Sequence, residues 1–180
     1  MNYFFKAGTL LAILIVAGSM LAGSVKAQNS STVTANASGH VAKPICIAVS
    51  STSNTSLRLG TFVTDASTSG TVTIAATSGG TRSKTGGVTL NSADAGGSCL
   101  FNVTGESGYA YNQTGDASCT LAGPSSHSIT VTLSVSGSNP RTLTSGADSF
   151  YAGGTTNSMT SSNTPNGDYS GSFHETAAYN

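Results

Sequence analysis

The sequence predicts an all-β, antiparallel β-sandwich, and three observations carry that expectation. Apolar residues alternate with polar ones in short runs, the period of a strand with one buried and one wet face. Gly, Asn, Ser and Asp separate the runs, as tight turns require. Beyond the first two dozen residues no window repeats its apolar positions at i, i+3, i+4 and i+7, so helix is expected to be nearly absent. Seven or more short strands in a chain of this size fit a sandwich or a barrel, and the sandwich is the expectation.

In chain order, the first element is an export signal. Lys6 supplies a positive start, Leu10 to Leu21 is almost wholly apolar, and Val25-Lys26-Ala27 places small or modest residues at a cleavage site. Residues 1–27 are therefore expected to be a signal peptide, and residues 28–180 a single domain large enough for one core. The apolar run is shorter than the ~20 residues a span needs and no basic stop-transfer cluster follows, so the mature chain is expected to lack a membrane span.

Residues 28–41 alternate next. Val33, Ala35, Ala37, Gly39 and Val41 share one smooth face, with Thr32, Thr34, Asn36, Ser38 and His40 on the other. Such a segment is either the first strand or a frayed tail of its own domain, or a donor strand that completes a neighbour's sheet.

Strand-like runs follow at Ile45, Ile47 and Val49, at Leu57 and Leu59, at Val72 and Ile74, at Phe101 and Val103, and at Tyr109 and Tyr111. The clearest is Ile129, Val131, Leu133 and Val135, interleaved with Thr130, Thr132 and Ser134. Gly79-Gly80, Gly86-Gly87 and Gly96-Gly97 lack the following helix of a phosphate loop and read as turns. Residues 136–166, with Pro140, Pro165 and few large apolar side chains, are expected to hold one weak strand and long loops. From Gly167 onward the alternation returns, with Tyr169, Gly171, Phe173, Glu175, Ala177 and Tyr179 on one face. That strand is expected to leave a flank that a partner must cover.

Composition excludes several classes of function. Charged residues are 8% of the chain, against ~25% in ordinary soluble domains, so solubility must rest on hydroxyls and amides. Seven basic residues balance seven acidic ones with no cluster, which leaves no footprint for nucleic acid or an anionic membrane. The regular alternation argues against a disordered, hydroxyl-rich stalk. There is no Gly-x-Ser-x-Gly, no His-Glu-x-x-His and no Cys-x-x-Cys, and His40, His127 and His174 are far apart, so neither catalysis nor a metal or cofactor is expected. Five Asn-x-Ser/Thr sequons are no more than this hydroxyl content brings by chance. Cys46, Cys99 and Cys119 in an oxidising compartment predict one disulfide and one remaining thiol.

The order Pro44-Ile-Cys-Ile47, Leu57-Arg-Leu-Gly-Thr-Phe62, Gly79 to Leu90, Phe101 to Tyr109 and Gly167 to Asn180 resembles the secreted bacterial domain of unknown function 4402. That family in turn resembles spore coat U proteins and chaperone-usher pilins, whose subunits are incomplete immunoglobulin-like sandwiches. Gly167, fourteenth from the C-terminus, and the penultimate Tyr179 are similar to the motif that periplasmic chaperones recognise, and Gly39 resembles the glycine of pilin donor strands.

The resemblance implies an immunoglobulin-like, pilin-like fold with residues 28–41 as donor strand. Gly167, Tyr169, Gly171, Phe173 and Tyr179 would form the strand that meets a chaperone or a neighbouring subunit. The implied partners are copies of the chain or related subunits, a periplasmic chaperone and an outer-membrane usher. The route would run through the periplasm to the cell surface or an extracellular filament.

Two positions depart from the pilin pattern. Glu175 stands where an apolar residue is usual, which calls for exposure or a partner. Gly105 stands where the second cysteine of the usual bridge to Cys46 would sit, and Cys99 lies six residues earlier, ~20 Å away along a strand. A Cys99–Cys119 bridge is therefore expected, with Cys46 free or intermolecular. The functional expectation is a secreted structural or adhesive subunit; the alternative is a self-contained binding module for carbohydrate or another surface ligand.

Overall fold

The computed structural model describes residues 30–180, so the expected signal peptide at 1–27 lies outside the described residues. The chain divides into two units, Met1–His40 and Val41–Asn180. In the first unit, residues 30–40 have no assigned strand and are exposed.

The second unit is built from twelve strands: β1 (Cys46–Val49), β2 (Phe62–Thr64), β3 (Val72–Ile74), β4 (Arg82–Lys84), β5 (Val88–Leu90), β6 (Cys99–Thr104), β7 (Ala110–Gly115), β8 (Ser118–Ala122), β9 (Ser128–Val135), β10 (Arg141–Thr142), β11 (Ala147–Thr156) and β12 (Glu175–Tyr179). A single 3-10 turn at Pro124–Ser126 is the one helical element among the described residues. None of these elements is a helix long and apolar enough to cross a membrane.

All the strand pairs are antiparallel, and the protein is all-β as the alternation requires. In the seven-stranded sheet β11 is the hub: β6 and then β3 pair along it, β9 pairs Ala152 to Thr156, and β1, β4 and β8 lie outside. A three-stranded sheet runs β10-β7-β12, and β2 pairs β5. The glycine pairs fall between strands, with Gly80, Gly86 and Gly96 at positive φ.

β11 corrects the expectation of one weak strand and long loops over residues 136–166: at ten residues it is the longest strand among the described residues, and it is central. Its core face carries Phe150 and Ala152, and Gly153 and Gly154 lie against neighbouring strands. A Cβ on Gly154 would stand 2.6 Å from Val131 Cγ1 and 2.8 Å from Thr132 O, so the site admits no side chain and shows no apolar signal. Leu57 and Leu59, expected on a strand, make only an isolated bridge through Arg58 to Gly97.

Two clusters form the core. One gathers Val72, Ile74, Val88, Ile129, Val131 and Met159; the other gathers Phe101, Val103, Tyr111, Leu143, Phe150 and Ala152. Leu57 and Phe173 pack against both. Phe101 stacks on Phe150 at 5.2 Å and meets Phe173 edge-on at 6.0 Å.

The expected Cys99–Cys119 bridge is not formed; both thiols are free and buried, and Cys46 is free and exposed on the edge strand β1. The ladder gives the reason. Cys99 faces Ala152, Ala152 faces Val135, and Cys119 faces Val131, four residues along β9. Three spacings of ~4.8 Å and four residues of ~3.3 Å separate the two backbones by on the order of 20 Å, beyond the ~7 Å limit for a bridge.

Candidate functional site

A cleft of about 1040 Å³ opens onto the core of the second unit. Its floor is Cys99 and Phe101 from β6, Cys119 and Leu121 from β8, and Ile129 and Val131 from β9. These are the residues that alternation places inward, so the cleft is floored by the outer layer of the protein's own apolar core. Residues 55–64 form one wall, Val49 lies beside them, and residues 164–173 form the other.

The first wall is held by a cation. Arg82 Nη1 donates to Leu59 O and to Thr61 O, each at 3.1 Å, and Nη2 donates to Asn91 O. Gly60 makes the approach feasible: its φ is +69°, and a Cβ there would lie 2.5 Å from Asp94 O. Thr61 Oγ1 donates to the Asp94 carboxylate at 3.1 Å, and the Gly96 N–H and this hydroxyl together hold Asp94 below the usual carboxylate range. Leu57 to Phe62 and Gly79 to Leu90, recognised above only as sequence motifs, thus meet through Arg82 to build one side of the cleft.

The second wall is the ribbon that leads into β12. Ser170 exchanges two backbone hydrogen bonds with Ala122 of β8, at 2.8 and 3.0 Å, and Tyr169 donates its hydroxyl to Pro165 O at 2.9 Å. His174 N–H donates to the Asp116 carboxylate at 2.8 Å, which holds that carboxyl low, while Asp116 N–H donates to His174 O at 3.1 Å. Beyond it, Glu175 to Tyr179 pair with β7 from Gly115 to Tyr111. The ribbon therefore borders both sheets, and β12 and β1 are edge strands.

Of the expected inward residues, Tyr169, Phe173, Glu175, Ala177 and Tyr179 are half-buried, whereas Gly167 and Gly171 are exposed. Gly167, Tyr169, Gly171 and Phe173 line the cleft, and Tyr179 does not. Of the other alternating segment, Val33 is 89% exposed and Ala35, Ala37, Gly39 and Val41 are exposed as well.

Glu175 meets the requirement that a half-buried carboxylate have a partner, since Gln113 Nε2 donates to its Oε2. Burial pushes its pKa up, Gln113 offsets part of the rise, and Asp116 adds to it. A raised folded value means that Glu175's contribution is fully favourable below the ordinary glutamate range, ~4.3, and is lost as pH rises through the folded value. Glu175→Gln is therefore expected to raise the melting temperature at pH 7.5 and to leave it unchanged near pH 4, as thermal melts at the two pH values would register.

Burial pushes the Cys99 thiol up, with help from Glu175, and burial with Asp116 does the same for Cys119, so both remain protonated and pack as small apolar groups. Among the described residues, no three His, Cys, Asp or Glu side chains gather where they could hold a metal ion.

A family model described as Domain of unknown function (DUF4402) matches residues 49–179, which takes in the core and both cleft walls. The chain belongs to this family. No curated protein and no solved structure matches it. The DUF4402 domain here thus carries its motifs as cleft architecture: Leu57 to Phe62 in one wall, Arg82 as its brace, Phe101 in the floor, and Gly167 to Phe173 in the opposite wall. Arg82 was invisible as a brace in the sequence, because a lone arginine in a turn-rich stretch has no periodicity to reveal its carbonyl partners.

Proposed function

We propose that this DUF4402 chain is an exported structural or adhesive surface subunit, immunoglobulin-like and pilin-like in plan, which assembles by strand complementation. One observation carries the reading: a cleft lies over the apolar core between the wall at 55–64 and the ribbon at 164–173, with Val49 of the edge strand β1 in its lining. An open core over a strand edge binds an added strand through backbone ladder bonds and buried side chains. Residues 28–41, with Val33, Ala35, Ala37, Gly39 and Val41 on one face, are the strand this reading assigns, and a neighbouring copy supplies it. A periplasmic chaperone would cover the cleft in transit and an outer-membrane usher would exchange it, delivering the subunit to the cell surface or a filament.

The experiment is electrophoresis of assemblies in unheated SDS, with and without residues 28–41. The full chain is expected to give detergent-resistant multimers, and the truncated chain folded monomers that no longer join. A full chain that stays monomeric and refolds alone from denaturant overturns the reading. That outcome favours a self-contained binding module, for which Tyr169 and Asp168 in the cleft wall would be the ligand-facing groups.

A further inference from the structure

The seam between β1 and the ribbon is shut at one end and open at the other. At the shut end the Tyr179 hydroxyl donates to Lys43 O at 2.8 Å and accepts from Glu106 N–H at 2.6 Å, while Lys43 N–H donates to the Glu106 carboxylate at 2.9 Å. The Tyr179 ring meets Tyr109 edge-on at 5.7 Å, and its hydroxyl fills the space where a side chain on residue 105 would begin. Ile45, Ile47, Ala177 and Tyr179 pack on one core cluster, which closes that half with apolar contacts. At the open end Val49, 45% exposed, and Phe173 line the cleft instead.

Resting on the strand-complementation reading, we infer that residues 33–41 of a second copy enter this seam from the open end and lie along residues 167–173. Tyr179 is the clasp that stops them there. Size and charge identify the occupant. The volume stands at the upper end of the ~300–1,000 Å³ of small-molecule sites, and it is elongated beside a seven-residue ribbon, about 23 Å long if fully extended. No floor residue carries a charge, so an occupant with charged side chains facing inward would be excluded by their desolvation. Residues 33–41 contain no Asp, Glu, Lys or Arg and turn a face of valine, alanine and glycine to whatever they meet. β12 stays paired with β7, and its junction with Lys43 is not displaced.

The test adds a synthetic peptide of residues 28–41 to the chain lacking residues 28–41, whose cleft no neighbouring copy can fill and whose strands all lie in Val41–Asn180, and reads amide hydrogen exchange residue by residue, for that chain with the wild-type Tyr179 and with Tyr179→Phe. In the wild type, new protection is expected over 167–173 and at Val49–Ser50, with 43–47 and 175–179 unchanged. Tyr179→Phe, which removes both hydroxyl bonds, is expected to extend the footprint to 43–47 and 175–179 and to tighten peptide binding about tenfold. Protection that already reaches Tyr179 in the wild type overturns the clasp while sparing strand complementation, and needs no variant to fold. Identical footprints and affinities in the two proteins also overturn it. A peptide that protects nothing in either protein overturns the parent reading as well.

Discussion

Arg141→Met is expected to lower folding stability by about 3 kcal/mol, because it strips a two-sheet junction of its centre. Arg141 on β10 donates through Nε to the Asp148 carboxylate at 2.7 Å and to the Tyr111 hydroxyl at 3.1 Å, through Nη1 to Ser136 O at 2.8 Å, and through Nη2 to Ser149 O at 2.9 Å. Its guanidinium also lies 5.2 Å from the centre of the Phe150 ring. Tyr111 belongs to the three-stranded sheet and Asp148 to the seven-stranded one, so a single cation joins the two layers. Methionine fills the space but leaves a carboxylate without its counter-charge beside a fully buried ring.

Urea denaturation should show the loss in the midpoint with little change in slope. Arg141→Lys should recover less than half, since an ammonium cannot reproduce the planar fork. The pH profile adds a signature. Burial pushes Asp148 up, but its bonds to Arg141 and Tyr111 outweigh that and hold it below the usual range. Its contribution is therefore present above the unfolded value of ~3.9 and lost as pH falls through the lower folded value. In Arg141→Met that acid-side loss should shrink or reverse. Tyr111, pushed up to about 12 by burial first and by Asp148 second, remains a neutral donor throughout.

Gly154→Val is expected to cost about 3 kcal/mol by overpacking rather than by loss of a contact. Strands pair with β11 on both flanks at this residue, Ile74 on one and Leu133 on the other. The new Cβ would press on Val131 Cγ1 and on the Thr132 carbonyl, and neither can retreat, since Val131 is buried and β-branched and Thr132 is held in the ladder. For a domain of this size the melting temperature should fall by roughly 6–12 °C, measurable by calorimetry. A drop of a degree or less would mean that β11 is not the tightly flanked centre described above.

That glycine also marks the limit of what could be read from the chain. Where apolar side chains alternate, the reading held at several strands: β9 lies where Ile129 and Val131 alternate with threonines, β3 where Val72 and Ile74 do, and Tyr111 is fully buried, while Leu57 and Leu59 pack on the core without forming a strand. Where packing is made by backbone, it failed, because Ala152-Gly153-Gly154 reads as loop and forms the middle of the longest strand. The disulfide failed for a related reason. Spacing along the chain says nothing about β6 and β8 being separated by β11 and β9. In the C-terminal ribbon the inward alternation from Phe173 to Tyr179 was legible, but not its division into cleft wall and clasp.

By itself, then, the amino-acid order determined an all-β protein, the positions of half of its twelve strands, its turns, and its membership of the family, since each depends on neighbours a few residues apart. Only the tertiary structure decided that a cleft lies over the core beside residues 164–173 and that Tyr179 bonds Lys43 and Glu106 at the far end. The bonds of Tyr179 join residues 73 and 136 positions apart, and no local period or propensity acts over such a separation.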